Sequence, residues 1–202
     1  MISQPNTPNL PYIPGTKKEV DAIKLLVHNH DIQVTCLEGE AATIDRVIKK
    51  MDTHSCIHFA CHASQNIKEP LKSGFFLQDG QLEIFSIIKQ NLVGADLAFL
   101  SACQTSTGDE TLSEEAVHLA AGMLAAGYRG VVATMWSIKD LYGPQIAEDF
   151  YANLTGQSKI LSSDDAARAL HYATQKLRKQ IKPGKDSDSS LLVWVPYVHF
   201  GL

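Results

Sequence analysis

Apolar positions along this chain recur with two different periods, and the two alternate. Over residues 17–29, Val20, Ile23, Leu26 and Val27 share one face at helical spacing, and Thr16 stands where a helix N-cap would. Ile32-Gln-Val-Thr-Cys-Leu37 is rich in β-branched residues and alternates, which predicts a strand. Thr43 caps a second predicted helix ending near Met51. Ser55-Cys-Ile-His-Phe-Ala-Cys61 is nearly continuous in apolar character, as a parallel strand covered on both faces would be. Around Pro70 and Gly74 the pattern loosens, and residues 75–77, Asp79-Gly80 and Leu82 predict a small hairpin appended to the sheet. A short helix over 85–90 leads to a third buried strand over 95–102.

The second half continues the alternation. Thr111-Leu-Ser-Glu114 matches a capping box, Val117, Ala120, Ala121 and Leu124 form the stripe of the helix behind it, and Gly127 stops that helix. Residues 130–135 predict a fourth strand. Pro144 opens a helix to about Leu154, and Ser162-Ser-Asp-Asp165 caps another to about Gln180. A polar loop over 183–190 and a closing strand over 197–201 complete the reading. Strands alternating with helices predict an α/β domain, with right-handed crossovers placing helices on both faces of a mainly parallel central sheet. Residues 1–15 hold Pro5, Pro8, Pro11 and Pro14 and almost no periodicity, so they read as an extended arm or linker remnant before a domain at 16–202.

Composition narrows the function classes. At 202 residues, 45% hydrophobic and 20% charged, the chain suits one soluble domain. A net charge of −4 without a basic, aromatic-interleaved stripe argues against nucleic acid as a partner. No apolar run approaches a membrane span, and the opening residues lack the basic start and apolar core of a signal peptide, so a cytoplasmic location is expected. The four cysteines should then be reduced. Cys36, Cys56 and Cys61 lie in apolar runs and read as small buried hydrophobes, whereas Cys103 falls where an apolar run meets a polar turn.

Ligands of open α/β sheets bind beyond the carboxyl ends of the strands, and two chemically competent residues fall there. His62 follows the second long strand and Cys103 the third. A thiol and an imidazole meeting at one rim are the minimum for thiol nucleophilic catalysis; a buried Cys and a hydrogen-bonded core His are the plainer readings of each alone. His58, His62, Cys56 and Cys61 do not make a metal site, because Cys56 and Cys61 point to opposite faces of a strand and no second ligand pair exists. No metal or other cofactor is expected. His58 reads as a core histidine, and His118 and His171 as structural residues on helices.

Five separated segments carry a resemblance. His58-Phe-Ala-Cys-His62, Leu100-Ser-Ala-Cys-Gln-Thr-Ser-Thr-Gly-Asp109, Glu114-Glu-Ala-Val-His-Leu-Ala-Ala-Gly122, Gly130-Val-Val-Ala-Thr-Met-Trp136 and Trp194-Val-Pro-Tyr-Val-His-Phe-Gly201 resemble, in order, the CHAT domain family, in wording closest to its fungal branch. Leu10-Pro-Tyr-Ile-Pro-Gly-Thr16 is similar to that family's start, and Ala102-Cys-Gln104 keeps the centre of the caspase signature. The resemblance implies a caspase-like three-layer fold, related to caspases and separases and usually following tetratricopeptide repeats. It implies a cytoplasmic cysteine endopeptidase with His62 as general base and acid and Cys103 as nucleophile, acting on a protein or peptide through a thioester. The oxyanion donors would be the main-chain N–H groups of Cys103 and Ala63, where the family usually has Gly; an Ala there resists positive φ. The substrate pocket would be lined by the loops over 104–111 and 136–140. Gln104, Asp109 and Trp136 are the candidates, although Asp109 could equally order its turn and Trp136 could be core. The alternative to an enzyme is a caspase-like scaffold that binds or regulates protein partners. Either way the resemblance implies a regulatory repeat domain in a longer parent chain.

Overall fold

The computed structural model describes residues 1–66, 68–104, 115–136, 138, 140–157, 160–181 and 187–201, with the backbone course alone for 102–104, 115–117, 157 and 187–190. The strands are β1 (Ile2–Ser3), β2 (Leu37–Glu38), β3 (Cys56–Ser64), β4 (Gly74–Leu77), β5 (Gly80–Glu83), β6 (Leu97–Gln104), β7 (Gly130–Thr134) and β8 (Tyr197–Gly201). The helices are α1 (Gly15–His28), α2 (Ile44–Met51), α3 (Ile84–Ile88), α4 (Glu115–Ala125), α5 (Gly143–Gln157), α6 (Ala166–Gln180) and α7 (Ser187–Trp194). Spatially the sheet runs β2-β1-β3-β6-β7-β8, parallel except for the antiparallel edge strand β8. The β4–β5 hairpin adds itself antiparallel to the end of β3.

Both faces of the sheet are covered, which is why β3 and β6 read as continuous apolar runs. Ile57, Phe59, Cys61 and Ala63 of β3 join Ala98 and Leu100 of β6 in one core, under α2, α3, α4 and the hairpin. The alternate residues face α1, α5 and α6, where Leu97 and Phe99 pack with Ile23, Ile146, Phe150, Ala169 and Leu177. Among the described residues no helix is long and apolar enough to cross a membrane.

The structure departs from the sequence reading at several elements. Residues 1–15 are not a detached arm: Ile2 pairs with both Leu37 and Phe59 inside the sheet, and Ser3 and Gln4 are fully buried. A two-residue strand is too short to show a period, so its place could come only from its neighbours. The strand expected over 32–37 shrinks to Leu37–Glu38, because β1 offers it only two residues to pair with. Part of the loop expected over 183–190 belongs to α7, whose Trp194 stacks under the Arg178 guanidinium, 5.2 Å from the ring centre. Thr16 does not cap α1; its hydroxyl donates to the Ile13 carbonyl, and the Asp140 carboxylate accepts from the Gly15 N–H at 2.8 Å instead. Thr43 precedes α2 without a side-chain bond, and Asp79 receives the Ile44 N–H in its place. Ser162 does accept from the Asp164 N–H ahead of α6. The capping box at 111–114 lies outside the described residues.

Candidate functional site

β3 and β6 are the longest strands described, and they pair in register from Cys56↔Leu97 to Ala63↔Gln104. That register sets His62 directly beside position 103. Side chains alternate along a strand, so His62 shares the face of His58, which meets Glu19 of α1 and Tyr151 of α5. His62 is 3% exposed. Its Nε2 lies 2.7 Å from the main-chain oxygen of Pro11, and since a carbonyl only accepts, Nε2 is the protonated nitrogen. In the neutral ring Nδ1 is then the nitrogen with the lone pair, and it is buried with no partner among the described residues.

Pro11 reaches this point because the opening segment is folded into a closed loop. The Ile13 N–H bonds the Pro5 carbonyl, the Leu10 N–H bonds that of Thr7, and Asn9 turns the chain at φ 64°. Ile13 then anchors the loop in the interior. Sequence reasoning missed Pro11, since a main-chain acceptor leaves no side-chain signature.

Below the rim, on the same face, sits a buried polar cluster. Glu19 of α1 receives the Ser101 hydroxyl at 2.9 Å, and its other oxygen lies 3.0 Å from Nε2 of His58. The Tyr151 hydroxyl is 3.3 Å from His58 Nδ1, and burial pushes that phenol well above its ordinary pKa, so it remains a donor. Phe99 stacks on the His58 ring at 5.0 Å. His58 is a core histidine that is hydrogen-bonded to Tyr151 of α5 and faces the Glu19 carboxyl group of α1.

The other expected site residues fall as follows. Ala63 is fully buried between Phe75 and Gln104, and it is not among the residues with positive φ, so the strain expected of an Ala there does not arise. Gln104 is the last residue of β6. Trp136 is half-buried just beyond β7 and donates from Nε1 to the Leu192 carbonyl of α7 at 3.2 Å. Asp109 lies outside the described residues, and Asp140, at the end of the loop over 136–140, holds the start of α1. Cys61 is buried, and Cys36 and Cys56 are partly so, burial pushing the pKa of both thiols up. Cys56 and Cys61 join opposite cores, and among the described residues no three metal-ligating side chains converge.

Three layers and a parallel sheet closed by one antiparallel edge strand make this a caspase-like α/β domain. The sequence matches the CHAT domain family over residues 1–202, and the chain belongs to that family. No curated protein matches it significantly.

Proposed function

We propose that the domain is a cytoplasmic cysteine endopeptidase using Cys103 as nucleophile and His62 as general base and acid. The observation that carries the reading is the His62↔Cys103 register at the carboxyl end of the sheet, with His62 fixed in the Nε2–H form by Pro11. In that form Nδ1 can take the thiol proton. The sulfur attacks the substrate carbonyl carbon, and the main-chain N–H of Cys103 serves the developing oxyanion. As the C–N bond breaks, Nδ1 returns its proton to the leaving nitrogen and a thioester remains. Water then adds to the thioester carbon, giving its proton to His62, and the acid product and the thiol are released. The Pro11 carbonyl orients the imidazole and stabilises its charged form through both steps, as a third group does in other nucleophile–base pairs. The reading includes a protein or peptide substrate and a regulatory repeat domain in a longer parent chain.

Alkylation separates this from a partner-binding scaffold. Iodoacetamide or a peptidyl acyloxymethyl ketone should label Cys103 first, with the adduct located by mass spectrometry, and His62→Ala should abolish that preference. Each unit by which a thiol pKa rises cuts its thiolate about tenfold near neutral pH, so Cys36 and Cys56 should lag. Equal, slow labelling of all cysteines would assign the domain to the scaffold class.

A further inference from the structure

A cavity of about 460 Å³ lies at the amino end of the sheet, the end opposite His62. Cys56 and His58 at the start of β3 bound it on one side, Gln33 and Thr35 on the other, and Met1 stands at its end. These boundaries are the two flanks of β1 carried backwards, since Ile2 pairs with Phe59 on one side and with Leu37 on the other. Ahead of Ile2 both flanks continue, and among the described residues no strand lies between them.

The hydrogen bonds already made decide which main-chain groups face the gap. The Gln4 N–H donates to the Ala60 carbonyl at 2.9 Å, so the even-numbered residues of β3 turn their N–H and C=O groups toward β1. On the other flank the Met1 nitrogen donates to the Thr35 carbonyl at 2.7 Å, and the Leu37 N–H to the Met1 carbonyl at 3.0 Å. The same parallel pattern, continued backwards, presents the His58 N–H and the Cys56 carbonyl from β3. It presents the Thr35 N–H and the Gln33 carbonyl from the other flank. β1 starts too late to pair any of the four, and they have no other partner among the described residues.

Two further observations point to a strand in this gap. Residues 32–37 alternate and are rich in β-branched side chains, yet only Leu37 of them is paired. The Met1 nitrogen makes the bond that a peptide N–H would make at that point, and burial pushes the pKa of its ammonium form down, a cost an uncharged peptide group does not meet. The gap is also roofed on both faces. Ile23, Val27, Tyr151 and Leu161 cover it on the side of α1 and α5. Thr35 shares the face of Leu37, in the core under α2, and there His54 Nε2 reaches Thr35 Oγ1 at 3.1 Å and joins the two flanks.

We infer that this gap is a strand site, filled by an extended segment that precedes Met1 in the longer parent chain, collinear with β1 and parallel to β3. The residue next before Met1 donates to the Cys56 carbonyl and accepts from the His58 N–H; the one before it donates to the Gln33 carbonyl and accepts from the Thr35 N–H. Alternation sends the side chain of that second residue toward Ile23, Val27 and Leu161, which calls for a large apolar residue, and the side chain of the first toward His54 and Ile57. Main-chain bonds thereby tie the preceding part of the parent chain to the strand that carries His62. This inference rests on the part of the reading above that sets the domain in a longer parent chain, and not on the protease chemistry.

The test compares amide hydrogen exchange, read by NMR, in the 202-residue chain and in the same chain carrying the residues that precede Met1 in the parent. Exchange at the Thr35 and His58 amides should slow by about tenfold or more in the extended chain, with a higher thermal midpoint. Asp in place of the second residue before Met1 should remove both gains, because it sets a charge against Ile23 and Val27, whereas Asp at the residue next before Met1 should leave most of them. Equal loss at both positions overturns the alternation and the strand with it. Unchanged exchange at Thr35 and His58 overturns the strand site and leaves the protease reading, tested by alkylation of Cys103, standing. Protection that appears in the 202-residue chain as its concentration rises gives the gap to a second copy and likewise overturns the inference. A parent in which nothing precedes Met1 overturns both this inference and the longer-chain part of the reading.

Discussion

Glu19 carries a carboxylate to a place that water does not reach. It is 2% exposed; the Ser101 hydroxyl donates to one of its oxygens and the His58 ring stands 3.0 Å from the other, both themselves buried. A Cβ on Gly143 would stand 3.1 Å from its Oε2, so the absence of a side chain there gives the carboxylate room. Breaking a buried pair by removing one partner is far more damaging than the pair's net worth, because the other groups stay buried and unmatched. Glu19→Ala should therefore lower unfolding stability by about 3 kcal/mol in urea titration, with Glu19→Gln less severe because it still accepts from Ser101. Nothing local to Glu19 announces this role. In sequence it is one polar residue beside the apolar stripe of a helix, and its partners arrive from distant strands. The strand-end positions of His62 and Cys103 were legible for the opposite reason: each stands at the end of an apolar run, and such a run marks a strand end without knowledge of its neighbours.

Elements were legible where their own residues supply the driving force. The hairpin β4–β5 follows its turn residues, and Gly127, at φ +119°, stops α4 against the Leu92 carbonyl with no space for a Cβ. The start of α1 was not legible, since its cap comes from Asp140 across the fold. That carboxylate satisfies an otherwise unpaired N–H and sits favourably at the positive end of the helix. Asp140→Ala should cost about 1 kcal/mol, read as a lower thermal midpoint. Because α1 follows the loop that presents Pro11, the same variant should also slow alkylation of Cys103. A stability loss with unchanged alkylation would confine Asp140 to capping.

For the whole molecule, the parallel order of the sheet brings two long-separated strand ends to one rim, and β8 closes the far edge. On that edge strand His199 has a pKa lowered by burial. The unfolded chain then binds a proton more readily than the folded one, so stability is full above the ordinary histidine range. It should fall as pH drops from about 6.5 through the lower folded value. Thermal midpoints between pH 7.5 and 5 should show this slope, and His199→Asn should flatten it. Periodicity, turn residues and strand-end chemistry fixed the α/β class, most elements and the two residues on which the proposed reaction depends, because each is a property of a short stretch of chain. The placement of Ile2–Ser3 inside the sheet, the Pro11 carbonyl on His62 and the Glu19 cluster were settled only by tertiary structure. Each of these pairs a group with a partner far along the chain, and a local pattern of hydrophobicity carries no information about which distant backbone atom or side chain will stand opposite.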